Sequence, residues 1–119
     1  MKRLVLSALV FAALSSPVFA QQIGGNYAVQ GTNLDGSTYS GTATITLTSD
    51  YTCEIVWVTG GSTSQGICMK NQNAFAAGYT LGSDVGLVVY EIKSDGSMEG
   101  LWTIAGVNSN GTETLTPMK

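Results

Sequence analysis

The chain has 119 residues, no histidine, two cysteines and a formal net charge of −3. Its length suits one domain, and the acidic balance argues against nucleic acid or an anionic membrane surface as a partner. The lack of histidine removes the commonest general base and metal ligand.

The first twenty residues read as a segment apart. Lys2 and Arg3 open it, an apolar run follows over 4–14, and Ser15–Ala20 (SSPVFA) supplies small residues at its end. That tripartite pattern predicts a secretory signal peptide over 1–20, cut after Ala20. The apolar run is too short to span a bilayer, and no cysteine follows the cut to carry a lipid anchor. The expected mature chain, 21–119, is a single exported domain, periplasmic or extracellular, without a membrane anchor. Its three lysines against eight acidic residues give it a net charge of −5.

From there on the sequence is strands and turns. Asn26–Gly31 sets Tyr27 and Val29 against small or polar neighbours, and Asn33–Ser37 (NLDGS) has turn chemistry. Tyr39–Thr48 puts Ala43, Ile45 and Leu47 on one face and threonines on the other, the period of a strand with one wet side. Next comes Tyr51–Lys70 (YTCEIVWVTGGSTSQGICMK), the most informative stretch. Gly60-Gly61 can take the positive φ angles of a two-residue hairpin loop. Residues whose numbers sum to 121 then face each other. Cys53 meets Cys68, Trp57 meets Ser64 and Ile55 meets Gly66. Opposed Cα atoms on antiparallel strands lie within reach of a disulfide, so Cys53–Cys68 is the expected bond. The face carrying Cys53 and Trp57 is assigned to the interior, with Glu54 pointing to solvent.

Asn71–Asn73 turns the chain, Ala74–Leu81 is a weaker strand, and 82–84 turns again. Gly86–Ile92 is rich in β-formers, 94–97 (SDGS) is a turn, and Met98–Gly106 and Thr112–Pro117 complete the chain. No window carries apolar residues at helical spacing for long enough to make a helix. About eight short strands with short connections predict an all-β antiparallel meander closing into a small barrel, the alternative being a two-sheet sandwich. A faint repeat relates Val29–Ile45 to Val89–Ile104, each with a DGS turn and a glycine in the returning strand.

The residues give little support to catalysis. Asp35, Asp50, Asp84 and Asp95 sit in turn signals, where aspartate commonly bonds nearby backbone. Glu54, Glu91, Glu99 and Glu113 alternate with apolar positions and are expected on the wet outer face. The DGS turns offer one carboxylate each, too few for a calcium loop. The expectation is a non-enzymatic protein with no catalytic residues, no metal and no cofactor. The alternatives are a carboxylate-dependent hydrolase or an inhibitor of a secreted enzyme. The aromatic residues either fill the barrel or line a pocket in it, and a barrel this narrow favours filling. If there is a pocket, Trp57, Tyr90 and Trp102 are its expected lining, each lying mid-strand among apolar residues. The expected partner is a protein surface or a small apolar ligand.

The runs GNYAVQGTNLDGSTYSGTATITL, CEIVWVTGGSTSQGICM and GLVVYEIKSDGSMEGLWTIAG together resemble a family of small exported proteins of Gram-negative bacteria. Its pattern is GxNxDGSxYxG. The resemblance spans nearly all of 21–119 and implies a protein that binds fibronectin or fibrinogen, with no particular binding residues attached. The layout is also similar to avidin and lipocalin architectures, but the chain lacks the GxW start of lipocalins and the spaced tryptophans of a biotin pocket.

Overall fold

The structure, a computed structural model, describes residues 23–119. The expected signal peptide lies outside the described residues. Eight antiparallel strands make up the fold: β1 Gly25–Thr32, β2 Thr38–Leu47, β3 Cys53–Thr59, β4 Ser62–Asn71, β5 Ala74–Leu81, β6 Asp84–Ile92, β7 Met98–Ile104 and β8 Gly111–Pro117. Each pairs with its sequence neighbour, and β1 pairs with β8 to close a barrel. Closure satisfies every edge, and the sandwich alternative is thereby set aside.

The central hairpin has the register set by its glycine pair. Gly60 and Gly61 have φ of 55° and 81°, and Cys53 faces Cys68, Ile55 faces Gly66 and Trp57 faces Ser64. The cysteines are bonded, with Cα atoms 4.9 Å apart. The bond closes a loop of 15 residues, for which chain entropy predicts about 3 kcal/mol. A domain of this size is stable by about 5–15 kcal/mol, so replacing both cysteines by alanine should visibly lower the urea midpoint. An unchanged midpoint would mean that the crosslink constrains nothing in the unfolded chain.

The two DGS turns have the same geometry. In each, the serine amide and hydroxyl donate to the aspartate two residues back: Ser37 to Asp35 at 3.0 and 2.7 Å, Ser97 to Asp95 at 2.9 and 2.7 Å. The serine hydroxyl, then its amide, hold each carboxyl below the usual aspartate range. These aspartates are turn residues, as their sequence context predicts.

Side chains alternate between core and solvent along the strands. The two ends of the barrel are built differently. The end containing the 48–52, 72–73 and 93–97 connections is packed solid with Ile23, Ile45, Cys53, Ile55, Phe75, Met98 and Leu115, all buried. Tyr27 helps to seal it by donating from its hydroxyl to the Ile23 carbonyl at 2.6 Å. Leu47, assigned to the inner face with Ala43 and Ile45, is 48% exposed because β2 ends there, at the rim. Towards the other end the inner wall holds rings and glycines. A Cβ on Gly86 would collide with the Tyr79 ring, and one on Gly111 with the Trp102 indole. Glycine at these inward positions lets a ring lie flat on the backbone of the facing strand.

Candidate functional site

At the end formed by the 33–37, 60–61, 82–83 and 105–110 connections, the barrel is open. A cavity of about 310 Å³ occupies it. Its wall is aromatic, made by Tyr39, Trp57, Tyr79, Tyr90 and Trp102, and its rim is polar, with Asn33, Thr38, Thr59 and Ser62. The expected lining residues Trp57, Tyr90 and Trp102, from β3, β6 and β7, all lie on it. The interior is therefore filled at one end and hollow at the other. Trp57 belongs to both parts: it is buried in the core, with its ring packed edge-on to Tyr79 at 5.1 Å, and it also lines the cavity.

Glu113 corrects the expectation of four outward glutamates. Glu54, Glu91 and Glu99 do point out, and Lys93 bridges the latter two at 3.4 and 3.5 Å. Glu113 points in and is only 6% exposed. The cause is parity: Glu113 lies two residues from Leu115, the one large apolar side chain in β8, which is fully buried. Side chains two apart share a face, so burying Leu115 draws Glu113 inside as well.

Three donors from three other strands converge on this carboxylate. Tyr39 on β2 donates its hydroxyl to Oε1 at 2.6 Å. Trp57 on β3 donates its indole N–H to Oε2 at 2.8 Å, and Tyr90 on β6 donates its hydroxyl to the same oxygen at 2.5 Å. Short hydrogen bonds to an ionised acceptor are the strong kind. Burial, then the negative charge of Glu113, push the Tyr39 and Tyr90 hydroxyls well above the ordinary phenol range and Tyr79 up to about 12. The tyrosines therefore keep their protons and remain donors. Trp102 is fixed separately, its N–H donating to the Thr32 carbonyl at 3.1 Å and its ring edge-on to Tyr39.

Glu113 is the one carboxylate among the residues lining the cavity, and no lysine lines it. Among the described residues no group of three or more acidic or cysteine side chains is placed to hold a metal. A hydrolase working through two carboxylates would need a second acid facing Glu113, and Glu54, Glu91 and Glu99 are on the other side of the wall.

The outer wall carries a second feature. Ile67, Gly78 and Leu87 follow one another across β4, β5 and β6, and Met69, Ala76, Val89 and Leu101 form the adjacent row across β4 to β7. Ile67 and Leu87 are 71% and 65% exposed, and Met69, Val89 and Leu101 about half exposed. This is a contiguous apolar stripe on the solvent side.

No protein-family model and no curated protein matches the sequence. Solved structures do match the fold. The chain is similar to a redesigned beta barrel, b11L5F_LGL, with a TM-score of 0.72 and 21% identity over 84% of this chain and 96% of the other. It is similar to a second redesigned barrel, mFAP1, bound to DFHBI, with a TM-score of 0.69 and 24% identity over 82% and 97% of the two chains. A more distant likeness is to the REP1-NXSQ fatty acid transporter, with a TM-score of 0.52 and 14% identity over 82% and 96%. At these identities the likeness is one of fold.

Proposed function

We propose that this protein is an exported, non-enzymatic binding protein that takes a small ligand into the open end of its barrel. The observation that carries this reading is the aromatic cavity of about 310 Å³. That volume is at the lower end of the range of small-molecule sites, about 300–1,000 Å³, and apolar walls with a few placed polar groups are their usual make-up. The cavity holds a single carboxylate whose oxygens already accept three hydrogen bonds, an arrangement suited to binding and poorly suited to acid–base turnover. The disulfide fits an oxidising compartment outside the cytoplasm. Two barrels of this shape, one described as bound to DFHBI and one as a fatty acid transporter, accommodate small molecules.

A second reading, a binder of protein surfaces, draws on the exposed apolar stripe of β4–β7 and agrees with the family that the sequence resembles. Monomeric proteins seldom leave a large contiguous apolar patch open to water.

One experiment separates the two. The neutral fluorophore N-phenyl-1-naphthylamine is titrated into the chain 21–119, into a Ser64→Phe variant and into a Leu87→Lys/Val89→Lys variant. Ser64 lines the cavity opposite Trp57, so phenylalanine there fills the site. Fluorescence enhancement in the parent and in the outer-wall variant, but not in Ser64→Phe, is the expected result. Enhancement that survives Ser64→Phe and vanishes in the outer-wall variant would move the binding site to the outer wall.

A further inference from the structure

The geometry points to an organic ammonium ion with a compact apolar body as the ligand of the cavity, held between the Glu113 carboxylate and the surrounding rings. This inference rests on the pocket reading above and adds the charge of the ligand to it.

It starts from a buried carboxylate with no cation beside it among the described residues. Glu113 is only 6% exposed, and all three groups that bond to it, Tyr39, Trp57 and Tyr90, are neutral donors. The raised tyrosine hydroxyls do not change that, since a protonated phenol stays neutral. No lysine lines the cavity, and Lys93 is on the outer wall between Glu91 and Glu99. Burying a carboxylate without a paired cation is among the costliest arrangements in a protein interior. A network made only to hold these three donors needs an acceptor but no charge, which a neutral glutamine would also supply.

The carboxylate also retains capacity. It has about four acceptor positions; three are used, and Glu113 lines the cavity. An ammonium N–H can take the fourth. The remaining wall suits the same guest. Trp57, Tyr79 and Tyr90 present rings around the site, and aromatic faces attract cations, tryptophan most strongly. An acidic chain, −5 over 21–119, draws cations to its surface and repels anions. The polar rim of Asn33, Thr38, Thr59 and Ser62 offers side-chain oxygens that can accept from an entering ammonium group. A fully apolar ligand would leave both the charge and the free acceptor position of Glu113 unmatched.

The test uses three probes on one carbon skeleton: 3,3-dimethylbutan-1-amine, 3,3-dimethylbutan-1-ol and 3,3-dimethylbutanoate, which at pH 7 are cationic, neutral and anionic. Each is titrated by calorimetry into the chain 21–119 with its disulfide intact. Both the amine and the alcohol can donate to the carboxylate, but only the amine forms an opposite-charge pair, and close charge pairs at desolvated sites couple by about tenfold or more in affinity. The amine is therefore expected to bind at least about tenfold tighter than the alcohol, with no detectable binding of the carboxylate. In Glu113→Gln the amine should fall to the level of the alcohol, with the alcohol changing far less than the amine. If the alcohol binds as tightly as the amine, or if the carboxylate binds best, the ligand is not a cation, although the pocket reading stands. A cation is equally ruled out if N-phenyl-1-naphthylamine enters the cavity and none of the three probes does. If neither the fluorophore nor any probe enters, both readings fall. The three-probe comparison on the parent protein decides the matter even if Glu113→Gln does not fold.

Discussion

Replacing Trp57 with alanine should destabilise the barrel by about 3–5 kcal/mol, the usual cost of truncating a buried aromatic side chain. Trp57 is 4% exposed, its ring packs against Tyr79, and its N–H is one of three bonds to Glu113. Alanine removes all of this at once and enlarges a cavity that is already there. Near the melting point 1 kcal/mol corresponds to about 4–8 °C for a domain of about 100 residues, so the melting temperature should drop by on the order of 20 °C. Thermal unfolding followed by circular dichroism measures it. A drop of only a few degrees would mean that Trp57 contributes to the cavity wall without supporting the core.

The second large effect belongs to Glu113. In Glu113→Leu, Tyr39, Trp57 and Tyr90 lose their common acceptor. Each buried donor left without a partner costs about 1–3 kcal/mol. An opposing effect comes from the charge itself, since removing a buried ion relieves its desolvation penalty. Three donors outweigh one charge, so the net change should be destabilising. Glu113→Gln, which removes the charge and keeps an amide oxygen as acceptor, should be clearly the more stable of the two variants. Urea unfolding of both gives the order directly. A leucine variant as stable as the parent would show that relief of the buried charge, or water from the cavity, offsets the loss of the three bonds.

The fold was legible in the sequence because its signals are local. Gly60-Gly61 determined the hairpin loop, the loop determined the register, and the register brought Cys53 to Cys68. Alternation in β2 separated Ala43 and Ile45 from the threonines, and the short connections required neighbours to pair. The polar centre of the site was not legible in this way. Residue type argued that Glu113 should be outside, whereas its parity with Leu115 required it to be inside. The only signal available was that a seven-residue strand with one large apolar side chain must turn that side chain inward. Its partners come from β2, β3 and β6, separated in sequence by 23 to 74 residues. No pattern of period two can connect positions that meet only across the lumen of a closed barrel. Trp57, Tyr90 and Trp102, chosen because each lies mid-strand among apolar residues, line the cavity.

Closure between β1 and β8 makes the eight strands a ring. Tyr27 is opposite Pro117, and the Met118 amide donates to the Asn26 carbonyl at 3.0 Å, so the first and last strands begin and end side by side. Every strand is next to its sequence neighbour, and a short linker between 118 and 23, which keeps the buried Ile23, would extend that rule to the final pair. Which strand comes first in that ring is then a matter of convention. A circular permutant opened at 72–73 or 94–96 keeps all eight pairings and leaves the four loops around the cavity uncut, since those breaks fall at the packed end. Neighbouring first and last strands are what make such rearrangements tolerable in general. Here they would let the mouth of the barrel be fused to other proteins from the opposite pole without placing a tether across it.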